Sequence, residues 1–290
     1  MTKTYDEALR GASSLLTQAG IDPDGARYVL ELRGNFTPSG LRLHGRDAMP
    51  ETLAAQFDQD LARLLRHEPA QYIVGLAPFY GDLFAVTPAV LIPRFETEEL
   101  VAWAASEQQE AATGLDLGTG SGAIGLTLAK QLKATMTLSD VSTAALEVAQ
   151  HNAQRLDRSV RFVQSDLFAS LGRYDFIVAN LPYISPAEVG VMDQSTLAYE
   201  PHLALFAEDS GLALFARFAQ DVAAHLNPGG AVYLEFGYHQ KKALAALFGQ
   251  ALPEAQVTFR QDLAGWDRMV RLTGLDETSD KERDNGNTSV

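Results

Sequence analysis

Leu115-Asp116-Leu117-Gly118-Thr119-Gly120-Ser121-Gly122-Ala123 is the stretch whose reading decides the fold. The residues entering it read as a buried strand over 114–117, and those leaving it as a helix over 122–133. The glycines between permit a tight turn and a close backbone approach to a ligand. The start of the helix behind them offers free N–H groups. Outward from this loop, strand and helix alternate. Strands are predicted over 135–139, 160–164 and 174–179, with a helix capped by Ser142 running to about residue 156. A helix over 212–226 is stopped by Asn227-Pro228-Gly229-Gly230 and followed by a strand over 231–236. A helix over 240–249 and strands over 256–260 and 268–272 complete the series, and 96–107 is a helix before it. Such alternation makes a doubly wound, mostly parallel sheet. Its ligand belongs beyond the carboxyl ends of the strands, where the strand order reverses.

Asp140 ends the second strand, about twenty residues past the loop, where an acidic side chain accepts hydrogen bonds from two ribose hydroxyls. A nucleoside cofactor follows from this pair of features. The spacing Gly-x-Gly-x-x-Ala also satisfies the relaxed dinucleotide fingerprint, so NAD stays open at this step. A nucleoside-triphosphate loop is excluded because no Gly-Lys-Ser/Thr follows, and a serine-hydrolase elbow because Thr119 and Ala123 stand where Gly is required. Asp116, just before the turn, favours S-adenosyl-L-methionine, whose amino-acid part needs an acidic or carbonyl partner there. Asp166 ends the third strand, the position that faces the adenine edge in enzymes of this layout, with Leu167 packing on the ring. Asp140 and Asp166 also read as helix caps.

Asn180-Leu181-Pro182-Tyr183 falls at the end of the fourth strand. The Asn oxygen and the Leu181 carbonyl suit a flat NH2 group, each accepting one hydrogen, and Tyr183 can stack on the plane. Pro182 removes a donor and biases Leu181 toward an extended conformation. Asn-x-Pro is also a common turn. What gives the tetrapeptide weight is agreement. Three acidic positions and this motif lie at successive strand ends, on one rim of one sheet.

The rest of the chain bounds the reading. A net charge of −14 argues against a sequence-independent grip on nucleic acid. The absence of Cys excludes a disulfide scaffold and thiolate zinc sites, and no paired His suggests a metal. No signal-peptide core or membrane span is expected, which points to a cytoplasmic protein. Helices are predicted over 5–19, 24–32 and 52–66, forming a small bundle over 1–75. A hairpin connector follows over 76–92, its turn at Gly81-Asp82, and then the main domain over 93–274. The polar tail, 275–290, is expected to be disordered.

Three more segments carry a resemblance. They are Glu68-Pro69-Ala70-Gln71-Tyr72-Ile73-Val74-Gly75, Leu91-Ile92-Pro93-Arg94-Phe95-Glu96-Thr97-Glu98, and Tyr199-Glu200-Pro201 with Ala207-Glu208-Asp209-Ser210-Gly211 downstream. With the glycine loop and Asn180-Leu181-Pro182-Tyr183, the chain resembles the peptide chain release factor glutamine methyltransferases. The resemblance implies a class I S-adenosyl-L-methionine (SAM)-dependent fold with a seven-stranded sheet and an N-terminal helical domain that docks the release factor. It implies methylation of the Gln in the Gly-Gly-Gln loop, with S-adenosyl-L-homocysteine as by-product and an effect on translation termination. Asn180, Leu181, Pro182 and Tyr183 are then the catalytic and substrate-binding group, with Arg94 at the substrate mouth. Asp116, Gly118, Thr119, Gly120, Ser121, Gly122, Asp140, Asp166, Leu167 and Asn180 would hold the cofactor. The family more often has Pro at the position of Leu181, and Pro-Asp in place of Phe95-Glu96. Asn-Leu-Pro-Tyr also occurs in rRNA adenine dimethyltransferases, so the alternative is an adenine N6-type DNA or RNA methyltransferase. The acidic balance and the lack of a basic, aromatic-rich segment count against that alternative.

Overall fold

The structure is a computed structural model in which residues 3–275 are described. The chain divides into two compact units. Of the described residues, the first comprises those up to Ile92 together with Glu188–His202; the second comprises Pro93–Ala187 and those from Leu203 to Leu275. The expected tail lies outside the described residues apart from Leu275, which is buried in the core of the second unit.

The first unit is built from α1 (Tyr5–Gln18), α2 (Asp24–Arg33), α3 (Pro38–Leu43), α4 (Glu51–Leu64) and α5 (Ala70–Val74). α1 starts on a capping box. The Thr4 hydroxyl accepts from the Glu7 N–H, and the Glu7 carboxylate accepts from the Thr4 N–H at 2.8 Å. Leu16, Val29, Leu30, Phe57 and Leu64 meet in its core. Beside them Asp60 is fully buried, and three side-chain donors answer its charge. Arg33 Nε donates at 2.8 Å and Nη2 at 3.3 Å, and Gln56 Nε2 at 3.0 Å. The hairpin β1 (Leu76–Phe79) and β2 (Asp82–Ala85) pairs Phe79 with Asp82. Its turn is therefore Tyr80-Gly81, one residue earlier than the sequence suggests. Both turn residues have positive φ, 49° and 81°, the conformation that two-residue hairpins favour. In Glu188–His202, buried Glu200 accepts the Ile92 N–H at 3.1 Å, and the Tyr199 hydroxyl donates to the Arg66 carbonyl at 2.9 Å.

The second unit opens with α6 (Phe95–Glu107) and contains a seven-stranded sheet. Its elements run β3 (Thr113–Leu117), α7 (Ala123–Gln131), β4 (Thr135–Asp140), α8 (Thr143–Arg155), β5 (Arg161–Gln164), β6 (Tyr174–Ala179), β7 (Leu226–Glu235), β8 (Gln256–Gln261) and β9 (Asp267–Thr273). The spatial order is β5-β4-β3-β6-β7-β9-β8. The pairings from β5 through β7 are parallel, and β9 runs antiparallel to both β7 and β8. The chain leaves β3 toward β4 and β5, then returns to β6 on the other side of β3. The order thus reverses between β3 and β6, the crevice where α/β sheets bind ligands. Leu115, Ile177, Phe215, Phe218, Val232, Leu234, Phe248 and Val270 form the core beneath.

One expected boundary is corrected. Asn227-Pro228-Gly229-Gly230 does not separate helix from strand. The helix Ala213–Asp221 ends in a 3₁₀ turn over Val222–His225, and β7 already begins at Leu226. Tyr174 pairs with Leu226 and Phe176 with Ala231, so the four residues bulge out of the ladder. Asn227 Nδ2 donates to the Asp175 carboxylate at 2.7 Å and ties the bulge down.

Asp60→Ala leaves the Arg33 guanidinium without its buried partner. It is expected to cost about 3–5 kcal/mol, read as a lower urea midpoint of the full-length chain; a cost at the level of an exposed pair, below about 1 kcal/mol, would contradict this.

Candidate active site

The glycine turn stands on the end of β4. The Gly118 and Thr119 N–H groups donate to the Ser139 carbonyl at 2.9 and 2.8 Å. Gly118, Gly120 and Gly122 have φ of 76°, 54° and 84°, a left-handed region that residues with a Cβ rarely adopt. A Cβ on Gly120 would meet no atom within 4 Å, so the turn presents bare backbone to open space.

Asp116 lies beneath the turn, fully buried. Its Oδ2 accepts from the Thr119 hydroxyl at 2.6 Å and the Gly125 N–H at 2.8 Å, bracing both sides of the loop. Its Oδ1 is buried with no hydrogen-bond partner among the described residues. Burial pushes the carboxyl up to about 7, against the pull of Thr119 and Gly125. Asp140 ends β4. Its Oδ2 accepts the Gly120 N–H at 2.9 Å, and Oδ1 accepts the Ser142 N–H at 2.9 Å. Burial raises its pKa too, opposed by those backbone donors. Asp166 is exposed and paired with Arg217 at 2.9 Å. Leu167 behind it is buried with φ 47°, and its carbonyl accepts from the Ser165 hydroxyl at 2.8 Å.

Asn180 follows directly on β6. Its Nδ2 donates to Thr97 Oγ1 at 3.2 Å. Thr97 in turn donates to Glu235 Oε2 at 2.6 Å, and the Tyr183 hydroxyl donates to Glu235 Oε1 at 3.2 Å. Thr97 lies in the first turn of α6 and Glu235 closes β7, so α6, β6 and β7 converge on one hydrogen-bonded chain. Burial pushes the Tyr183 hydroxyl up, and the Glu235 charge adds to it, opposed by Arg268 and Arg94. The hydroxyl therefore stays protonated and donates. Leu181 turns its side chain into the core, where a Cβ on Gly118 would come within 3.3 Å of it. Arg94 is the N-cap of α6, half-buried, and its charge acts on Tyr183.

The loop after Tyr183 is clamped. Gln240 Nε2 donates to the Tyr183 carbonyl at 2.8 Å and to the Ser210 carbonyl at 3.2 Å. Gly211 packs so closely on the Tyr183 carbonyl that a Cβ would overlap it. Thr97 and Gly211 lie in segments that carry the family resemblance, but the roles of Thr97, Glu235, Gln240 and Gly211 escape a reading of the sequence, because each reaches Asn180 or Tyr183 from another element.

Comparison with known proteins identifies relatives of the chain as a whole. The PrmC N-terminal domain matches residues 7–75 and the methyltransferase small domain residues 97–198. The chain is 44% identical over 219 residues to the release factor glutamine methyltransferase of Streptococcus pneumoniae, covering 74% of this chain and 78% of that one. It is 37% identical over 274 residues to the Enterococcus faecalis protein of the same name, covering 93% and 99%. A methyltransferase structure from Pyrococcus furiosus superposes with a TM-score of 0.54 at 19% identity, over 75% of this chain and 98% of that one, and shares the fold. These relatives and the methyltransferase small domain define a methyltransferase. The chain belongs to the release factor glutamine methyltransferase family.

The titration of Asp116 has a defined sign. Its folded pKa lies above the usual carboxylate value of 3.8, so the folded state binds the extra proton between there and about 7. The stability this contributes is present at low pH and lost as pH rises through that window. Asp116→Asn has no such proton to lose. Its melting temperature relative to the wild type is expected to rise between pH 5 and pH 7.5, as thermal melts across that range will show. A constant difference would mean that Asp116 does not titrate there.

Proposed function

We propose that this protein methylates the side-chain amide nitrogen of the glutamine in the Gly-Gly-Gln motif of peptide chain release factors, using S-adenosyl-L-methionine, and so modulates translation termination in the cytoplasm. The observation that carries the reading is the bond from Asn180 Nδ2 to Thr97. With the NH2 end of the amide engaged there, Oδ1 is the end left to face a ligand, and an acceptor is what a substrate NH2 requires.

The residues present fit the cofactor. The bare glycine turn opens on space for a ligand, and the orphaned Asp116 oxygen beneath it is a polar group still seeking a donor. Gly118, Thr119, Gly120, Ser121 and Gly122 would hold its amino-acid end together with Asp116, Asp140 its ribose, and Asp166 and Leu167 its adenine, with Asn180 beside them. When bound, it supplies a methyl group activated by a sulfonium.

The chain's own residues supply aim. An amide nitrogen is a poor nucleophile because its lone pair is delocalised into the carbonyl. Asn180 Oδ1 and the Leu181 carbonyl accept the two amide hydrogens and favour lone-pair density on the nitrogen. Pro182 and Tyr183 form the walls of the slot, and Arg94 lines its mouth. Holding reactants in line at about 3–3.5 Å contributes roughly 7–11 kcal/mol. Acceptors fixed before the reaction stabilise the charge that develops on nitrogen, whose extra proton leaves after transfer. The N-terminal helical unit is the part proposed to dock the release factor, supported by its match to the PrmC N-terminal domain.

Purified unmodified release factor, a Gln→Ala factor and an adenine-containing RNA, each offered with methyl-labelled cofactor, test the proposal. Label is expected only on the unmutated factor; label on RNA alone would assign a base methyltransferase instead. Asn180→Ala is expected to lower turnover by about 100-fold or more while calorimetry shows the cofactor still bound. Unchanged turnover would remove Asn180 from the mechanism.

A further inference from the structure

We infer that Thr97 and Glu235 are positioning residues that set which end of the Asn180 amide faces the substrate. The inference rests on the proposed function, because it concerns how the same site accepts an NH2 group. The two ends of a primary amide have nearly the same shape and opposite hydrogen-bonding roles. A half-turn of the Asn180 side chain would present NH2 to the substrate's NH2, donor against donor, and the grip would be lost. Something must hold the side chain in one of two nearly isosteric orientations.

The hydrogen-bonded chain does this by fixing direction. Glu235 is 1% exposed, and in its ionised form it only accepts. It receives the Thr97 hydroxyl hydrogen at 2.6 Å and the Tyr183 hydroxyl hydrogen at 3.2 Å. Burial pushes the Glu235 pKa up and Glu96 adds to this, while the Thr97 bond, the Arg268 charge and the Tyr183 bond favour the ionised form. A threonine hydroxyl has one hydrogen. With that hydrogen committed to Glu235, Thr97 offers only lone pairs to its other neighbour. The Asn180 atom 3.2 Å away must then be the donor, Nδ2, and Oδ1 is left pointing to the other side. The order runs from acceptor to donor without a free choice: carboxylate, hydroxyl, amide NH2, amide oxygen, substrate NH2. Thr97 is buried, so no water competes for the contact. The Tyr183 bond to the same carboxylate couples the wall of the slot to the group that aims Asn180.

Two substitutions break the direction differently. Thr97→Val keeps the shape and removes the hydroxyl, so neither orientation of Asn180 is favoured. Glu235→Gln keeps one acceptor oxygen and puts a donor at the other end. Where that NH2 end faces Thr97, the Thr97 hydrogen turns toward Asn180 and reverses the amide. Both are expected to lower kcat for the release factor by about 10- to 100-fold, with little change in KM or in the calorimetric cofactor affinity. Thr97→Ser keeps the hydroxyl and is expected to restore most of the rate. A merely structural role would instead weaken cofactor binding and raise KM together with the loss of rate.

The experiment measures kcat, KM and cofactor affinity for wild type, Thr97→Val, Thr97→Ser and Glu235→Gln as full-length chains, with folding checked by circular dichroism. Should Thr97→Val not fold, Thr97→Ala takes its place with the same expectation. Wild-type rates in the Val and Gln variants, or a Ser variant as slow as Val, would overturn the assignment of Thr97 and Glu235. A wild-type enzyme that leaves the release factor unlabelled would instead overturn the proposed function, so the two failures are separable.

Discussion

The parallel pairing of β3 with β6 is the constraint on which the site depends. Its register sets Leu117 opposite Ala179, so both strands end at the same level. The glycine turn leaves one end and Asn180 leaves the other, at the point where the sheet reverses its order. Neither loop has to reach across the molecule. A sheet already buried on a large apolar core fixes the separation between them, at no further cost in loop entropy. The same register brings Gly118 beside Leu181, whose side chain enters the core while its backbone stays on the rim. Leu and Pro are therefore alike in the one respect the proposed chemistry uses, a backbone carbonyl. The Leu181 side chain is an apolar anchor in that core.

Two carboxylates are buried under this rim, Asp116 and Glu235, and each organises hydrogens around it. Burying a carboxylate is unfavourable unless donors answer it. Here the donors are the groups whose placement matters: the Thr119 hydroxyl and Gly125 N–H around Asp116, and the Thr97 and Tyr183 hydroxyls around Glu235. The cost of burial is met during folding rather than at the reaction step. That is the sense in which the rim is preorganised. Asp140 does similar work at lower burial, joining the glycine turn to the start of α8 through two backbone N–H groups.

The alternation of strand and helix was legible because parallel strands buried on both faces leave apolar runs, and glycine, proline and capping residues punctuate them. β6 is predicted at its observed limits, and the Ser142 cap accepts the Ala145 N–H as expected. The errors have physical causes. Asn227-Pro228-Gly229-Gly230 has the composition of a turn, yet the strand continues through it as a bulge, because ladder pairing resumes at Ala231. The hairpin turn at Tyr80-Gly81 hides behind a bulky residue at positive φ. α3 and α5, of six and five residues, are too short to show a period. The places of Asp140 and Asn180 at strand ends were legible by position. The contacts of Thr97 and Glu235 were not, since they meet Asn180 and Tyr183 across 83 and 52 residues of chain. No local pattern encodes a contact of that separation.

The segment on the far side of Tyr183 completes the argument for a rigid slot. Asp209, Ser210 and Gly211 have φ of 52°, 55° and 82°, three successive residues in the left-handed region. For the two residues with a Cβ this costs about 1–2 kcal/mol each. Such strain persists only where the surroundings over-determine it. They do so here: Gln240 binds the carbonyls of Tyr183 and Ser210 together, and Ile184 exchanges backbone hydrogen bonds with Leu205 and Ala207, each at 3.0 Å. Gly211 then closes on the Tyr183 carbonyl at a distance no side chain would allow. The tetrapeptide is thus held at its first residue by Thr97, at its second by the core, and at its last by a strained turn that has no room to relax. The reaction proposed for this site depends on orientation rather than on acid or base chemistry, and a tetrapeptide with that little freedom suits it.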